Sequence, residues 1–444
     1  MNALANFFTQ IVNRYMPDPL VIAILLTILT MVLAIFLQGT SPTDAVLYWG
    51  NGFWDLLAFS MQMTVILLAG YILAKTPLVD SGLDRLASKV KTPFIAIIVA
   101  TLVGGVGSWL NWGFGLVIGG IFAQKLALQV RGLHYPLVIA AAYSGFAIYG
   151  IGLSGSVPLL IATEGHFLQE TIGIIPLSET IFSPVLLITS ALILLTLPFF
   201  NAWLHPKNVG DIVEIDPSSV VKNTINSNIE DNQITIAERL NKSRWIGIII
   251  GLLGMLYLVL YSIDGGSLNL NTVNFAFVFL GILLFASPAH YLSTLGDGVR
   301  IVSGIIVQYP FYAGIMGILV SSGLVISFSG IFVDISTAQT LPFWSFISGG
   351  IINLLAPSGG GQWAIQGPVM VQAASDLGAS QAATAVAVQI GDQWTNMVQP
   401  FWILPVLAIS GLKLRDVMGY MVIILMYLGV IFSGSVLIWG YLSA

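Results

Sequence analysis

Asp392 is the residue where chemistry is most concentrated in this sequence. It lies in Gly391-Asp-Gln-Trp-Thr-Asn396, about eleven residues into an apolar run over 381–411, and is the only acid placed deep within such a run. An acid held in hydrocarbon is expensive and usually functional. Asp392 is therefore expected to couple a cation, either by carrying H⁺ or by ligating Na⁺ through oxygen, with Ser154 and Ser156 as further oxygen donors. A structural hydrogen bond to a neighbouring segment is the plain alternative. Two polar, glycine-rich interruptions supply groups for an anion. One is Gly107-Ser-Trp-Leu-Asn-Trp-Gly-Phe-Gly115, with Ser108 and Asn111. The other is Pro357-Ser-Gly-Gly-Gly-Gln-Trp363, with Ser358, Gly359, Gly360, Gly361 and Gln362. Glycines let backbone N–H groups approach a ligand, and a half-helix starting there points its positive dipole end at the break. Such a place holds a carboxylate without Lys or Arg. Thr395 and Asn396 are expected to join that substrate set. Against this stands the reading that small residues merely let helices pack closely.

Other chemistries find little support. The chain has no cysteine, so thiolate metal sites and a cysteine nucleophile are excluded. Gly152-Leu-Ser-Gly155 fits the short Gly-x-Ser-Gly pattern of intramembrane serine proteases, but a nucleophilic serine needs a base nearby. The four histidines, His134, His166, His205 and His290, fall at span ends or in loops. Gly361 is followed by Gln362 and Trp363 rather than the Lys-Ser/Thr of a phosphate loop. No ring of like charges suggests a channel. No catalytic residue, metal site or cofactor is expected.

The elements that must position these residues are membrane helices. Of 444 residues 57% are hydrophobic and 8% charged, against about 25% charged in soluble domains. A water-facing globular surface cannot be assembled from such a chain, and a net charge of −5 leaves no footprint for nucleic acid. The run 19–37 is long enough to be a retained first span rather than a cleaved signal. Nine spans are expected, near 19–38, 54–74, 136–157, 180–200, 245–263, 273–287, 305–328, 381–411 and 416–442. The two interrupted stretches, 93–125 and 342–375, are expected as re-entrant helical hairpins with arms of roughly 11–15 residues, too short to cross. Broken backbone survives in a bilayer only against protein or a watery cavity. The spans after each hairpin, with Ser144-Gly145 and Gly150 to Pro158 in one and Gly391 to Pro400 in the other, are expected to unwind at depth.

Charge supports this threading. With a cytoplasmic N-terminus and a periplasmic C-terminus, all 15 Lys and Arg fall inside, as the positive-inside rule asks. Ser41-Pro42 followed by Trp49-Gly-Asn-Gly52 recurs as Ser287-Pro288 followed by Leu295-Gly-Asp-Gly298, an offset of 246; Pro93-Phe94 recurs as Pro342-Phe343 and Asn111-Trp112 as Gln362-Trp363. The two copies fall on opposite sides, so the expected organisation is an inverted repeat. Residues 1–200 form the first half and 264–444 the second. A cytoplasmic linker, 201–244, and a connecting span, 245–263, join them. Thr235-Ile-Ala-Glu238 in the linker fits a capping box. Inverted repeats with discontinuous helices point to a secondary transporter with its site between the halves.

Asn353-Leu-Leu-Ala-Pro-Ser-Gly-Gly-Gly-Gln-Trp-Ala-Ile-Gln-Gly-Pro368 resembles the bacterial short-chain fatty acid transporter family. So do Arg14-Tyr-Met-Pro-Asp-Pro19, Gly107-Ser-Trp-Leu-Asn-Trp-Gly113 and Gly391-Asp-Gln-Trp-Thr-Asn396. More broadly the layout is similar to the ion-transporter superfamily, which includes dicarboxylate permeases with paired re-entrant hairpins. The resemblance implies uptake of small monocarboxylates such as butyrate or acetoacetate across the bacterial inner membrane, with H⁺ or Na⁺ symport. A dicarboxylate or other organic-anion permease of the same architecture is the alternative. The expected partners are a small carboxylate and the lipid bilayer, and a homodimer is compatible with the architecture.

Overall fold

A computed structural model describes residues 19–55, 57–166, 168–217, 235–266, 270–355, 357 and 359–443. Among the described residues the regular structure is entirely helical, without strands. Among the same residues six helices are long and apolar enough to cross a membrane, or seven if the bent pair Tyr309–Ser321 and Leu324–Asp334 is one span. That measure stops short of the nine expected. The span expected over 305–328 lies in a helix, Pro288–Ser321, that ends at Ser322 and Gly323. Gly323 adopts φ +77° and turns the chain by 71°. Left-handed backbone of this kind is where glycine is favoured.

The first interrupted stretch is a helical hairpin, Pro93–Leu110 and Trp112–Gln129, with only Asn111 outside helical geometry. Its arms have 18 residues each, and those of the second hairpin, Leu341–Leu355 and Gly359–Leu377, have 15 and 19. Three of the four arms exceed the expected 11–15 residues, because most of the glycines stay helical. Glycine costs about 1 kcal/mol against alanine in a helix interior, but here it permits backbone contact. Cβ atoms on Gly107 and Gly119 would lie 2.9 Å and 3.3 Å from Gly115 Cα and Gly104 Cα on the facing arm. Pairing 107 with 115 and 104 with 119 makes the arms antiparallel. Length therefore does not decide whether the hairpin is re-entrant. Its two ends lie close together: Lys125 near the end pairs with Asp80 and Asp84 at 2.8 Å and 2.6 Å, on the helix Pro77–Ser88 just before the hairpin. The second hairpin closes likewise, with Leu341 at its start packed among Ala373, Ala374 and Ala379 at its end.

Each hairpin is followed by a helix that breaks. The first broken span runs Tyr135–Ser144, a 3₁₀ stretch Gly145–Ile151, a turn, and Ser156–Ile161. The second runs Gln381–Thr395 and Pro400–Ser410. Each hairpin docks on the broken span that follows it in the same way. In the first, a Cβ on Gly104 would overlap the Ala142 carbonyl oxygen and one on Gly145 would overlap Gly105 N. In the second, a Cβ on Gly349 would lie 2.7 Å from Val388 O, and one on Gly391 would overlap Phe346 O and sit 2.6 Å from Gly350 N. The residues correspond at an offset of 245 or 246, close to that of the Ser-Pro repeat. Trp112 and Gly359, at an offset of 247, open the outgoing arms, so Gln362 lies one turn into its helix rather than opposite Asn111.

Residues 206–217 of the linker fold back on the turn before the first broken span. Val213 N donates to His134 Nδ1 at 3.0 Å, and Tyr135 N donates to Val213 O at 2.8 Å. Burial and the neighbouring His205 push the His134 imidazole down to about 4, which keeps it a neutral acceptor for that bond. Further on, the capping box at Thr235 and Glu238 is formed as expected, opening the helix Ile236–Asn241.

Candidate functional site

The two breaks meet in the buried centre. Phe146 and Tyr149 lie three apart in the 3₁₀ stretch, where such side chains eclipse, and Tyr143, at the end of the helix before it, stacks on Phe146 along the same edge. Tyr149 OH donates to Asp392 Oδ2 at 2.6 Å, and Tyr143 OH donates to the Asn396 carbonyl at 2.7 Å. Gln389, one turn before Asp392, binds three ways. Its Nε2 donates to Asp392 Oδ2 and to Tyr149 OH, both at 3.2 Å, and its Oε1 accepts from Val157 N at 3.1 Å. Asn396 Nδ2 reaches Asp392 Oδ2 at 3.5 Å. Asp392 is fully buried; Oδ2 has these three donors, while Oδ1 has no partner among the described residues.

Asn353, on the incoming arm of the second hairpin, locks the break. Its Nδ2 lies 2.8 Å from Asp392 O, 2.9 Å from Thr395 Oγ1 and 2.7 Å from Asn396 Oδ1. Thr395 Oγ1 in turn donates to Gly350 O at 2.9 Å. The tip of the second hairpin rests on this cluster: a Cβ on Gly359 would lie 3.1 Å from Gln389 Oε1 and 3.4 Å from Asp392 Oδ2. Gly360 is exposed and faces Ser156, with room for a Cβ. Gly361 completes the first helical turn.

The expected residues thus divide. Asp392, Thr395, Asn396, Gly359, Gly360 and Ser156 come together. Ser358 lies outside the described residues. Gln362 turns inward between the hairpin arms, where its Nε2 donates to Gly349 O and Gln366 Oε1 at 2.9 Å. Around the first tip the polar groups are largely engaged locally. Asn111 Oδ1 caps the outgoing arm through Phe114 N at 3.0 Å, and Ser154 Oγ accepts from Trp112 N at 2.9 Å. Ser108 Oγ is buried against Gly115, without a partner among the described residues.

Tyr149, Gln389 and Asn353 were missed by sequence reading. Tyr149 sits in an apolar run where an aromatic looks like core. The glutamine and asparagine carried a signal, being amides inside apolar helices, where an unpaired polar group is costly.

Residues 1–439 match the short chain fatty acid transporter family. A protein of Escherichia coli is 42% identical over 430 residues, covering 97% of this chain and 98% of the relative. One of Haemophilus influenzae is 39% identical over 440 residues, with the same coverage. Both are named for short-chain fatty acid transport. The crystal structure of the YdaH transporter of Alcanivorax borkumensis shares the fold, with TM-score 0.50 and 16% identity, over 95% of this chain and 98% of that one. The chain is a membrane protein and belongs to the short-chain fatty acid transporter family, a family of transporters rather than enzymes.

Proposed function

We propose that this chain is a secondary-active transporter that takes up short-chain monocarboxylates such as butyrate or acetoacetate through the bacterial inner membrane, together with H⁺ or Na⁺. The observation that carries this reading is the contact of the second hairpin tip with the Asp392 carboxylate, whose Oδ1 is buried without a partner among the described residues. The N–H groups of Gly359 and Gly360 open a helix and suit a carboxylate. An anion held there is repelled by the Asp392 carboxylate; two like charges about 5 Å apart repel by roughly 3 kcal/mol at an effective dielectric constant near 20. Binding the anion therefore favours neutralising Asp392 Oδ1, with a proton or a sodium ion. The same cation offsets the membrane potential, which opposes anion entry by about 2.3 kcal/mol per 100 mV.

Uptake of labelled butyrate, acetoacetate and succinate into proteoliposomes, with imposed H⁺ or Na⁺ gradients, tests this. Accumulation of the monocarboxylates driven by one of the two gradients is expected. Accumulation of succinate alone, or uptake indifferent to both gradients, would overturn the reading.

In the proposed topology the halves, 1–200 and 264–444, are inverted about the span 245–263. The N-terminus, both ends of the first hairpin and the linker 201–244 lie in the cytoplasm, and the C-terminus in the periplasm. The recurring docking of hairpin on broken span supports two related halves, and the Lys125 pairing supports a common side for residues 80–84 and 125. Cysteines replacing Ser88 and Gly132 should both be protected from an external impermeant thiol reagent, while one replacing Gly265 should react. Labelling of only one of the first two would remove the hairpin from the topology.

A further inference from the structure

We infer that Asn353, Thr395, Asn396 and the Asp392 carbonyl form a sodium site at the second break. This rests on the reading that transport is coupled to a cation. It places that cation on the backbone side of Asp392 rather than on the carboxylate Oδ1.

An amide nitrogen has two hydrogens to give. Asn353 Nδ2 nevertheless has three oxygens around it, Asp392 O at 2.8 Å, Thr395 Oγ1 at 2.9 Å and Asn396 Oδ1 at 2.7 Å. The other end of the same amide, Oδ1, is buried without a partner among the described residues, and the whole residue is fully buried. One side of this side chain therefore has more acceptors than hydrogens, and the other has an acceptor left over. Buried acceptors without donors are costly and call for a partner.

None of the three oxygens is free to become a donor. Asp392 O is a carbonyl. Thr395 Oγ1 spends its hydrogen on Gly350 O at 2.9 Å. The Asn396 amide is oriented by its far end, where Nδ2 faces Asp392 Oδ2 at 3.5 Å. The helix Gln381–Thr395 also ends here, so the negative end of its dipole points at this place. Carbonyl, hydroxyl and amide oxygens are hard and neutral, and such a set takes a hard cation rather than a proton. With Asp392 as the one carboxylate beside it, across the Asn396 amide, the site balances a single positive charge.

Room for the ion is the room the amide nitrogen now fills. Turning the Asn353 side chain withdraws Nδ2 and leaves the volume of an N–H₂ group between the oxygens, more than a bare sodium ion needs. The same turn brings Oδ1 round as a further ligand. Asn353 thus closes the break through its nitrogen in one arrangement and through the ion in the other. Its arm, Leu341–Leu355, leads to the tip at Gly359 beside Asp392, so the ion helps to fix the place where the carboxylate binds.

The test is sodium binding to purified protein in detergent, without substrate. It is read as binding of labelled sodium and as thermal stability in sodium chloride against choline chloride, since a ligand of the native state raises stability. Wild-type protein should bind sodium and melt higher in it. Thr395→Val removes one polar contact to the charged ion and should weaken sodium affinity by about tenfold or more. Asn353→Asp puts a carboxylate among the three oxygens, so its stability should depend on sodium more steeply than that of wild type. This variant decides the matter if the valine variant does not purify as a single species. Wild-type protein indifferent to sodium, an unchanged affinity in Thr395→Val, or an Asn353→Asp variant unfolded even in sodium would overturn the site. Proton-driven accumulation of butyrate by a protein that ignores sodium would overturn the site and leave the transport reading standing. Sodium binding as expected in a protein that accumulates no monocarboxylate would do the reverse.

Discussion

Asp392→Asn is expected to leave a protein that exchanges labelled for unlabelled acid but no longer accumulates it against a gradient. Asparagine keeps the size of the side chain and one acceptor oxygen. That oxygen can still receive Tyr149 OH and Gln389 Nε2, which now hold Oδ2 at 2.6 Å and 3.2 Å, so the contact between the two broken spans survives. What is lost is the ionisable group that the proposed coupling to a proton or a sodium ion requires. An amide N–H₂ would occupy the place of the unpartnered Oδ1. Binding of butyrate should weaken by no more than about 150-fold, since one charge-assisted hydrogen bond is worth about 1.5–3 kcal/mol, while gradient-driven accumulation should fall to background. The measurement is a pair of assays on one proteoliposome preparation, counterflow exchange and uptake driven by an imposed gradient. Wild-type accumulation by the variant would make Asp392 a structural acid only.

Gly391→Val and Gly145→Val should each abolish a folded product. At Gly391 a Cβ would overlap the Phe346 carbonyl oxygen, and at Gly145 it would overlap the Gly105 amide nitrogen. In both cases the obstacle is backbone of a packed hairpin arm, which cannot rotate away as a side chain would. Overpacking costs about 1–3 kcal/mol where side chains can yield, and these sites lie beyond that range because whole helices must separate. Moving them would also pull apart the polar centre, since Asn353 and Asp392 are held together by the same contact. Gly360→Ala is the control, because the space at its Cβ is open to 4.0 Å. Size-exclusion profiles of the detergent-solubilised proteins would report the outcome. Monodisperse, transporting valine variants at either docking glycine would show that hairpin and broken span do not pack as described.

The candidate site was legible in part, and unevenly. Asp392 stood out because a single acid within a long apolar run needs no partner to be noticed. The breaks at Asn111 and before Gly359 were visible from their polar, glycine-rich composition, yet their extent was not. A run of glycines is indistinguishable on paper from an unwound loop until the surface it packs against is known. The glycines of the first hairpin remain helical because Ser108, Gly104 and Ala142 press against them. Ser154 and Ser156 stood two residues apart with the same expected role. One turned to the Trp112 amide and the other toward the second tip, since the turn between them points successive side chains in different directions.

Sequence by itself determined the class of molecule: a chain with 8% charged residues cannot make a water-facing surface, and that conclusion depends on summed composition alone. It also determined the polarity of the ends of the helices, because charge and capping residues act within one turn of where they stand. Only the tertiary structure decided the partners of Asp392. Tyr149 is 243 residues away from it in sequence, and in its own surroundings it reads as one more buried aromatic. Asn353 and Gln389 read as isolated amides. Which of these meet depends on how two helix faces dock, and that docking is fixed by backbone contacts at Gly104, Gly145, Gly349 and Gly391. Close packing is a property of two complementary surfaces at once, so neither segment carries it alone.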